Sequence, residues 1–214
     1  MNNLCKLSLT ALSALLISAC QSTSTPKAIG ERMQGYLTPS ATGWQFESCN
    51  ESKTRAAQLN APWNEQAQAL VDDGNSKVFV DWQASLVNQA VSPTTVYRLQ
   101  GEGFGCDDPD FKRLALRATG NTWSASISKQ GMLLTRVDTP PLAVPYVEEA
   151  LPNAHRSYTS QANGKTIELW ISPGQCVDAA SGMRTTFTAQ LLIDQQKVGE
   201  AGCAYPGGAE DHLQ

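Results

Sequence analysis

The stretch 112–134, KRLALRATGNTWSASISKQGMLL, decides how the chain is to be folded. Leu114, Leu116 and Ala118 alternate with charged neighbours, which places the apolar residues on one face of a strand. Thr119, Gly120 and Asn121 then give a turn signal, and Trp123, Ala125 and Ile127 return with the same alternation. The period is 2, not 3.6, and a glycine-containing turn separates the two runs, so 114–128 reads as an antiparallel hairpin. A third strand through Met132 and Leu134 follows after Lys129, Gln130 and Gly131, which makes the segment a meander.

The same period recurs outward from this core. In KTIELWI (165–171), Ile167, Leu169 and Ile171 alternate with Thr166, Glu168 and Trp170. In MRTTFTAQLLID (183–194), Met183, Phe187, Ala189, Leu191 and Ile193 share one parity. Each reads as a half-buried strand. The first half adds two strand segments, GYLTPSATGWQFESC (35–49) and SKVFVDWQASL (76–86), the second with Val78, Val80 and Trp82 on one face. Between them, APWNEQAQALVDD (61–73) sets Trp63, Ala67, Leu70 and Val71 at helical spacing, with Pro62 just inside the start and Gly74 past the end. That pattern predicts one short amphipathic helix.

The segment 138–155 carries Pro140, Pro141, Pro145 and Pro152, which exclude a continuous helix or a central strand. It reads as an extended connection with one helical turn at Val147–Leu151. No internal repeat is visible. The fold class is therefore mainly β, with antiparallel meander, small barrel or sandwich modules and one short helix. Glycines 101, 103 and 105 suggest a division into an N-terminal β-rich module, 32–100, and a C-terminal β module, 101–208, ahead of an acidic tail, 209–214.

Composition narrows the function. The 214 residues have a formal net charge of −4 and contain no basic cluster, so the electrostatic footprint of a nucleic-acid binder is missing. The N-terminus begins with one cation, Lys6, no acid, and an apolar run from Leu7 to Ala19 diluted by Ser and Thr. This is the order of a secretory signal, and the run is too short to span a bilayer. It ends in Ile17, Ser18, Ala19 and Cys20, which resembles the lipobox of bacterial lipoproteins. That resemblance implies cleavage after residue 19, an acylated Cys20 inserted in a lipid bilayer, and a tether over 20–31, rich in Ser and Thr. Multiple acyl chains make such an anchor durable. Gln21 and Ser22, in place of an Asp after the cysteine, imply the outer membrane and its periplasmic face.

Four cysteines remain beyond Cys5 and Cys20, and an even number in an exported chain reads as two disulfides. Three pairings are open; the one in which each half of the chain has its own bridge is Cys49 with Cys106 and Cys176 with Cys203. No C-x-x-C occurs, and the histidines are two, His155 and His212, so neither a zinc site nor a redox pair is expected.

The segments 103–127 (GFGCDDPDFKRLALRATGNTWSASI) and 174–204 (GQCVDAASGMRTTFTAQLLIDQQKVGEAGCA) resemble, respectively, the Gly, Pro, aromatic opening and the Cys, Asp, Ser-x-Met, Gly-Cys closing of an uncharacterised family of Gram-negative envelope lipoproteins. Where that family carries an aromatic pair after the proline, Asp110 and Phe111 follow Pro109. The segment 35–49 resembles the small β modules of NlpE-like lipoproteins, which are associated with copper response and surface sensing. Those proteins carry a C-x-x-C that this chain lacks, so copper sensing does not transfer. The resemblance implies a β fold and an envelope location, with no activity attached.

The search for chemistry yields little. G-x-S-x-G is absent, and His155, in a proline-rich loop, reads as a solvated histidine and not a base. Asp107, Asp108 and Asp110 lack the spacing of a calcium loop, and Asp108 before Pro109 reads as a turn. Of the five tryptophans, Trp170 shares its parity with Thr166 and Glu168 and is therefore the candidate for an exposed contact surface. No catalytic residue, metal or cofactor is expected. The reading is a lipoprotein with a non-catalytic binding or envelope-maintenance role, its partner an envelope protein or cell-wall component. The alternatives are a lysozyme inhibitor that inserts the 179–183 loop, AASGM, into a carboxylate cleft, and a hydrolase or metal-dependent enzyme, against which the shortage of histidines counts.

Overall fold

The structure, a computed structural model, describes residues 30–209 and is mainly β. The leader, Cys20, the tether up to residue 29 and the tail from residue 210, with His212, lie outside the described residues. The first five strands are β1 (Glu31–Ser40), β2 (Gly43–Ser48), β3 (Thr54–Ala57), β4 (Val78–Val87) and β5 (Ala90–Gln100), with the helix α1 (Ala61–Asp72) between β3 and β4. Strands β1 to β3 form a meander, and β4 returns through the helix to pair with β1, which is a Greek-key order. A parallel pairing of Ala57 with Val91 joins β3 to β5 and closes the ring as a small five-stranded barrel.

Helix α1 forms where the spacing predicts it. Asn60 caps it, its side-chain oxygen accepting from the Trp63 N–H at 3.3 Å. Ala67 and Leu70 enter a core with Leu37, Phe46, Val78, Val80, Trp82 and Leu99. Burying these apolar side chains supplies most of the helix's stability, since twelve residues alone are marginal.

The second half begins with the predicted meander: β6 (Leu114–Thr119), β7 (Trp123–Ser128) and β8 (Gly131–Arg136), extended by β9 (Thr139–Val144). Next come β10 (Val147–Ala150), β11 (Arg156–Ala162), β12 (Lys165–Val177), β13 (Arg184–Ile193), β14 (Gln196–Lys197) and β15 (Gly202–Pro206). Strand β15 inserts between β13 and β6, which ties the two runs into one curved sheet around a second core that includes Trp123, Ile127, Leu134, Leu169 and Leu191. A short ladder of β5 with β13, Leu99 opposite Arg184 and Arg98 opposite Thr185, makes the sheet continuous from one half to the other.

Two expectations from the sequence need correction. Val147–Leu151 does not make a helical turn; Val147–Ala150 is a strand paired with β11, its residues held extended by cross-strand hydrogen bonds. Pro140 and Pro141 do lie in a strand, but β9 ends the sheet and its register slips between the pairs formed by Leu134 and Arg136, so no ladder bond is asked of the missing N–H groups. Strand β5, which contains Pro93, went unread in the sequence. Its proline sits where the ladder with β4 is also irregular.

The disulfides join Cys49 to Cys106 and Cys176 to Cys203. The first reaches from the end of β2 to the irregular segment after β5, across the 100/101 position at which the sequence suggests a boundary. The same segment packs on the outer face of β4. Any side chain at Gly105 would collide with the Tyr36 hydroxyl and the Phe79 ring.

A buried ion pair closes that outer face. Arg32 on β1 donates from Nε and Nη2 to the two carboxylate oxygens of Asp81 on β4, at 2.9 and 2.6 Å. Its Nη2 also donates to the Pro206 carbonyl at 2.8 Å and its Nη1 to that of Gly207. The guanidinium lies over the rings of Tyr97 and Phe111. Asp81 is 0 % exposed, so the pair binds the end of β15 to the first barrel from a dry position.

Asp81→Asn leaves Arg32 buried with half its pairing, and the expected loss is about 3–5 kcal/mol in denaturant unfolding. Removing the disulfides one at a time is expected to lower stability by about 4 kcal/mol for Cys49–Cys106 and about 3.5 for Cys176–Cys203, the longer loop costing more. Unfolding midpoints of the paired Cys→Ala variants check the order.

Candidate functional site

A groove of about 590 Å³ opens where β5, β6, β7, β8, β15 and the 178–183 loop converge. That volume is in the range of small-ligand sites, and a junction between packed units is a common place for one. Phe104 and Val137, 57 % and 63 % exposed, stand at its rim, and Trp123, Met183 and Tyr205 are buried in its wall. Gln100 holds the rim by donating from Nε2 to the Phe104 carbonyl. The Cys176–Cys203 bridge packs with Met183 and Tyr205.

Arg98 is the decisive residue. It lines the groove yet is 1 % exposed, with its guanidinium between the Phe79 ring at 4.7 Å and the Tyr205 ring at 4.2 Å. Neither its Nε nor its Nη2 has a hydrogen-bond acceptor among the described residues. Its cross-strand neighbour is Asp81, but both oxygens of that carboxylate are held by Arg32. Burying a cation without hydrogen bonds costs several kcal/mol, which stacking on two rings recovers only in part. The Trp123 indole N–H, also in the groove wall, is likewise buried without an acceptor.

The other charges of the groove are engaged or opposed. Arg117 approaches Asp110 at 3.4 Å and Asp108 at 3.8 Å. Asp178 pins its own loop: Oδ1 accepts from the Ala180 and Ser181 N–H groups at 3.1 and 2.9 Å and from the Ser181 hydroxyl at 2.8 Å, while Oδ2 accepts from the Thr119 hydroxyl at 3.2 Å. Burial pushes this carboxyl upward, but the bonds from Ser181, Thr119 and Ala180 outweigh it and hold the group below its ordinary value. Arg136 and Glu102 remain, with no ion pair to either among the described residues.

Residues singled out in the sequence are placed as follows. Trp170 is 38 % exposed on the outer face of β12, its Nε1 donating to Glu168 at 3.0 Å, and it does not line the groove. His155 is half-buried and meets the Ser172 hydroxyl at 3.0 Å through Nδ1. Asp108 accepts from the Asp110 N–H in a turn, and Asp110 also pairs with Arg113. Among the described residues no group of three or more His, Cys, Asp or Glu is arranged to hold a metal ion. The 179–183 loop forms one wall of the groove, with Ser181 turned to Asp178.

The sequence reading missed Arg98. Parity within VYRLQ (96–100) could not find it, because the ladder slips between the Trp82–Val96 and Asp81–Arg98 pairs and puts Val96 and Leu99 in the barrel core while Arg98 is outside it. Compared with known protein families, with curated proteins and with solved structures, the chain matches none.

The depressed Asp178 carboxyl sets a pH dependence. Its stabilising effect is complete above the ordinary value of 3.8 and is lost as pH falls through the lower folded value. Wild type is therefore expected to be more stable than Asp178→Asn at pH 7, with the difference shrinking below pH 3.8. Thermal unfolding of both proteins across this range measures it.

Proposed function

We propose that the protein is a lipid-anchored binding protein of the bacterial envelope, held by acylated Cys20 at the periplasmic face of the outer membrane. In this reading it contacts an envelope protein or cell-wall component, without catalysis, through the groove around Arg98. The observation that carries the binding role is the buried guanidinium whose Nε and Nη2 lack an acceptor among the described residues, in the wall of an open, rimmed cavity. A chain that keeps a costly unpaired cation next to a groove has a use for it in an acceptor from outside. The anchor rests on the leader and the Ile17, Ser18, Ala19, Cys20 order. The two disulfides fit an oxidising compartment. Among the described residues no helix is long and apolar enough to cross a membrane.

Two measurements test this reading. Wild type is expected in the detergent phase on phase partition, with Cys20→Ser in the aqueous phase; equal membrane retention of the two overturns the anchor. A photocrosslinking residue at Val137 is expected to give a discrete adduct in cells, and one at Asn163, in the remote β11–β12 turn, is not. The same adducts from both positions overturn the groove as the contact site.

A further inference from the structure

We infer that the groove binds a monocarboxylate with an apolar body, the carboxylate meeting Arg98 and the body lying against Phe104, Val137 and Met183. The inference rests on the reading of the groove as the contact site and adds the chemistry of what it takes. Three observations carry it. First, the buried polar atoms of the groove wall that lack partners among the described residues are all donors: Nε and Nη2 of Arg98 and Nε1 of Trp123. A wall with donors to spare selects a ligand rich in acceptors.

Second, the charge left over is one. The charged side chains that line the groove are Arg98, Arg117 and Arg136 against Glu102 and Asp178, three cations to two anions. A monoanion neutralises that excess. A phosphate dianion overshoots it and is repelled by Glu102 and Asp178. Third, the guanidinium is clamped between Phe79 and Tyr205, so its plane is fixed and further partners approach along its edge. A planar carboxylate suits that edge, since both oxygens lie in the guanidinium plane. Free aliphatic acids and the carboxyl ends of peptides share this chemistry. The exposed apolar rim at Phe104 and Val137 serves either.

The test is isothermal titration calorimetry at pH 7 on the full chain carrying Cys20→Ser. The probes are N-acetyl-L-phenylalanine, its amide, octanoate and inorganic phosphate. At least one carboxylate is expected to saturate, with the amide and phosphate bound tenfold or more weakly. Binding of N-acetyl-L-phenylalanine alone identifies a peptide end, and of octanoate alone a free acid. Arg98→Met is expected to abolish binding and the ligand-induced rise in Tm, while leaving Tm without ligand equal or higher, because an unpaired buried charge is removed. Should Arg98→Met not fold, Val137→Asp, at an exposed rim position, is expected to weaken carboxylate binding tenfold or more.

Equal binding of acid and amide, tighter binding of phosphate, or no binding of either carboxylate overturns the inference. So does unaltered affinity in Val137→Asp. A discrete Val137 adduct in cells without carboxylate binding sinks the ligand class and leaves the contact site standing; loss of both sinks both.

Discussion

One buried acid organises this protein. Asp81 lies on β4, in the dry layer between the first barrel and the segments that cover it, and its carboxylate must be paired there. Arg32 does so with a two-pronged bond and donates further from Nη2 and Nη1 to the Pro206 and Gly207 carbonyls. The end of the last strand is thereby fastened to the first, across most of the chain. Arg98, directly across the ladder, is packed on aromatic rings, and its Nε and Nη2 have no acceptor among the described residues. The ion pair fastens the junction, and the residue across the ladder from its acid lines the groove.

A cation pressed between two rings keeps part of its stabilisation through the quadrupoles of those rings, but it keeps its hydrogen-bonding capacity unspent. The surrounding acids do not relieve it. Asp178 is consumed in ordering the 178–183 loop, and Asp108 and Asp110 face Arg117. Each of these local pairings builds the wall of the groove and at the same time withholds a partner from Arg98. The second disulfide, packed with Met183 and Tyr205, stiffens the same wall, so the guanidinium is presented in one orientation.

Much of the fold was legible one strand at a time. Period-2 alternation over 114–134, 165–171 and 183–193 marks strands that the structure forms, and the proline and glycine boundaries of 61–73 mark the helix. Strand β5 was hidden for two reasons. Its hairpin turns on Asn88 and Gln89, both with positive φ but with no glycine to announce them, and Pro93 reads as a breaker unless its neighbour is known to be irregular there. The turn at Asn163 and Gly164, by contrast, carries the usual asparagine-glycine signal. With β5 unread, Arg98 had no face, and an arginine without a face is only a surface charge.

The sequence by itself determined what depends on neighbours along the chain: alternation, helical spacing, the oily leader that stops at Cys20, and an even set of cysteines beyond it. It also marked Trp170 as sharing the parity of polar residues. Only the tertiary structure decided which of several acids and arginines meet. Arg32 and Asp81 are 49 positions apart, Asp81 and Arg98 stand opposite in a ladder whose register slips, and no local pattern reveals which of the two arginines the carboxylate will pair. Strand period reports which side of a sheet a residue takes, whereas the partner waiting on that side is fixed by long-range register, and here that register leaves one guanidinium unmatched.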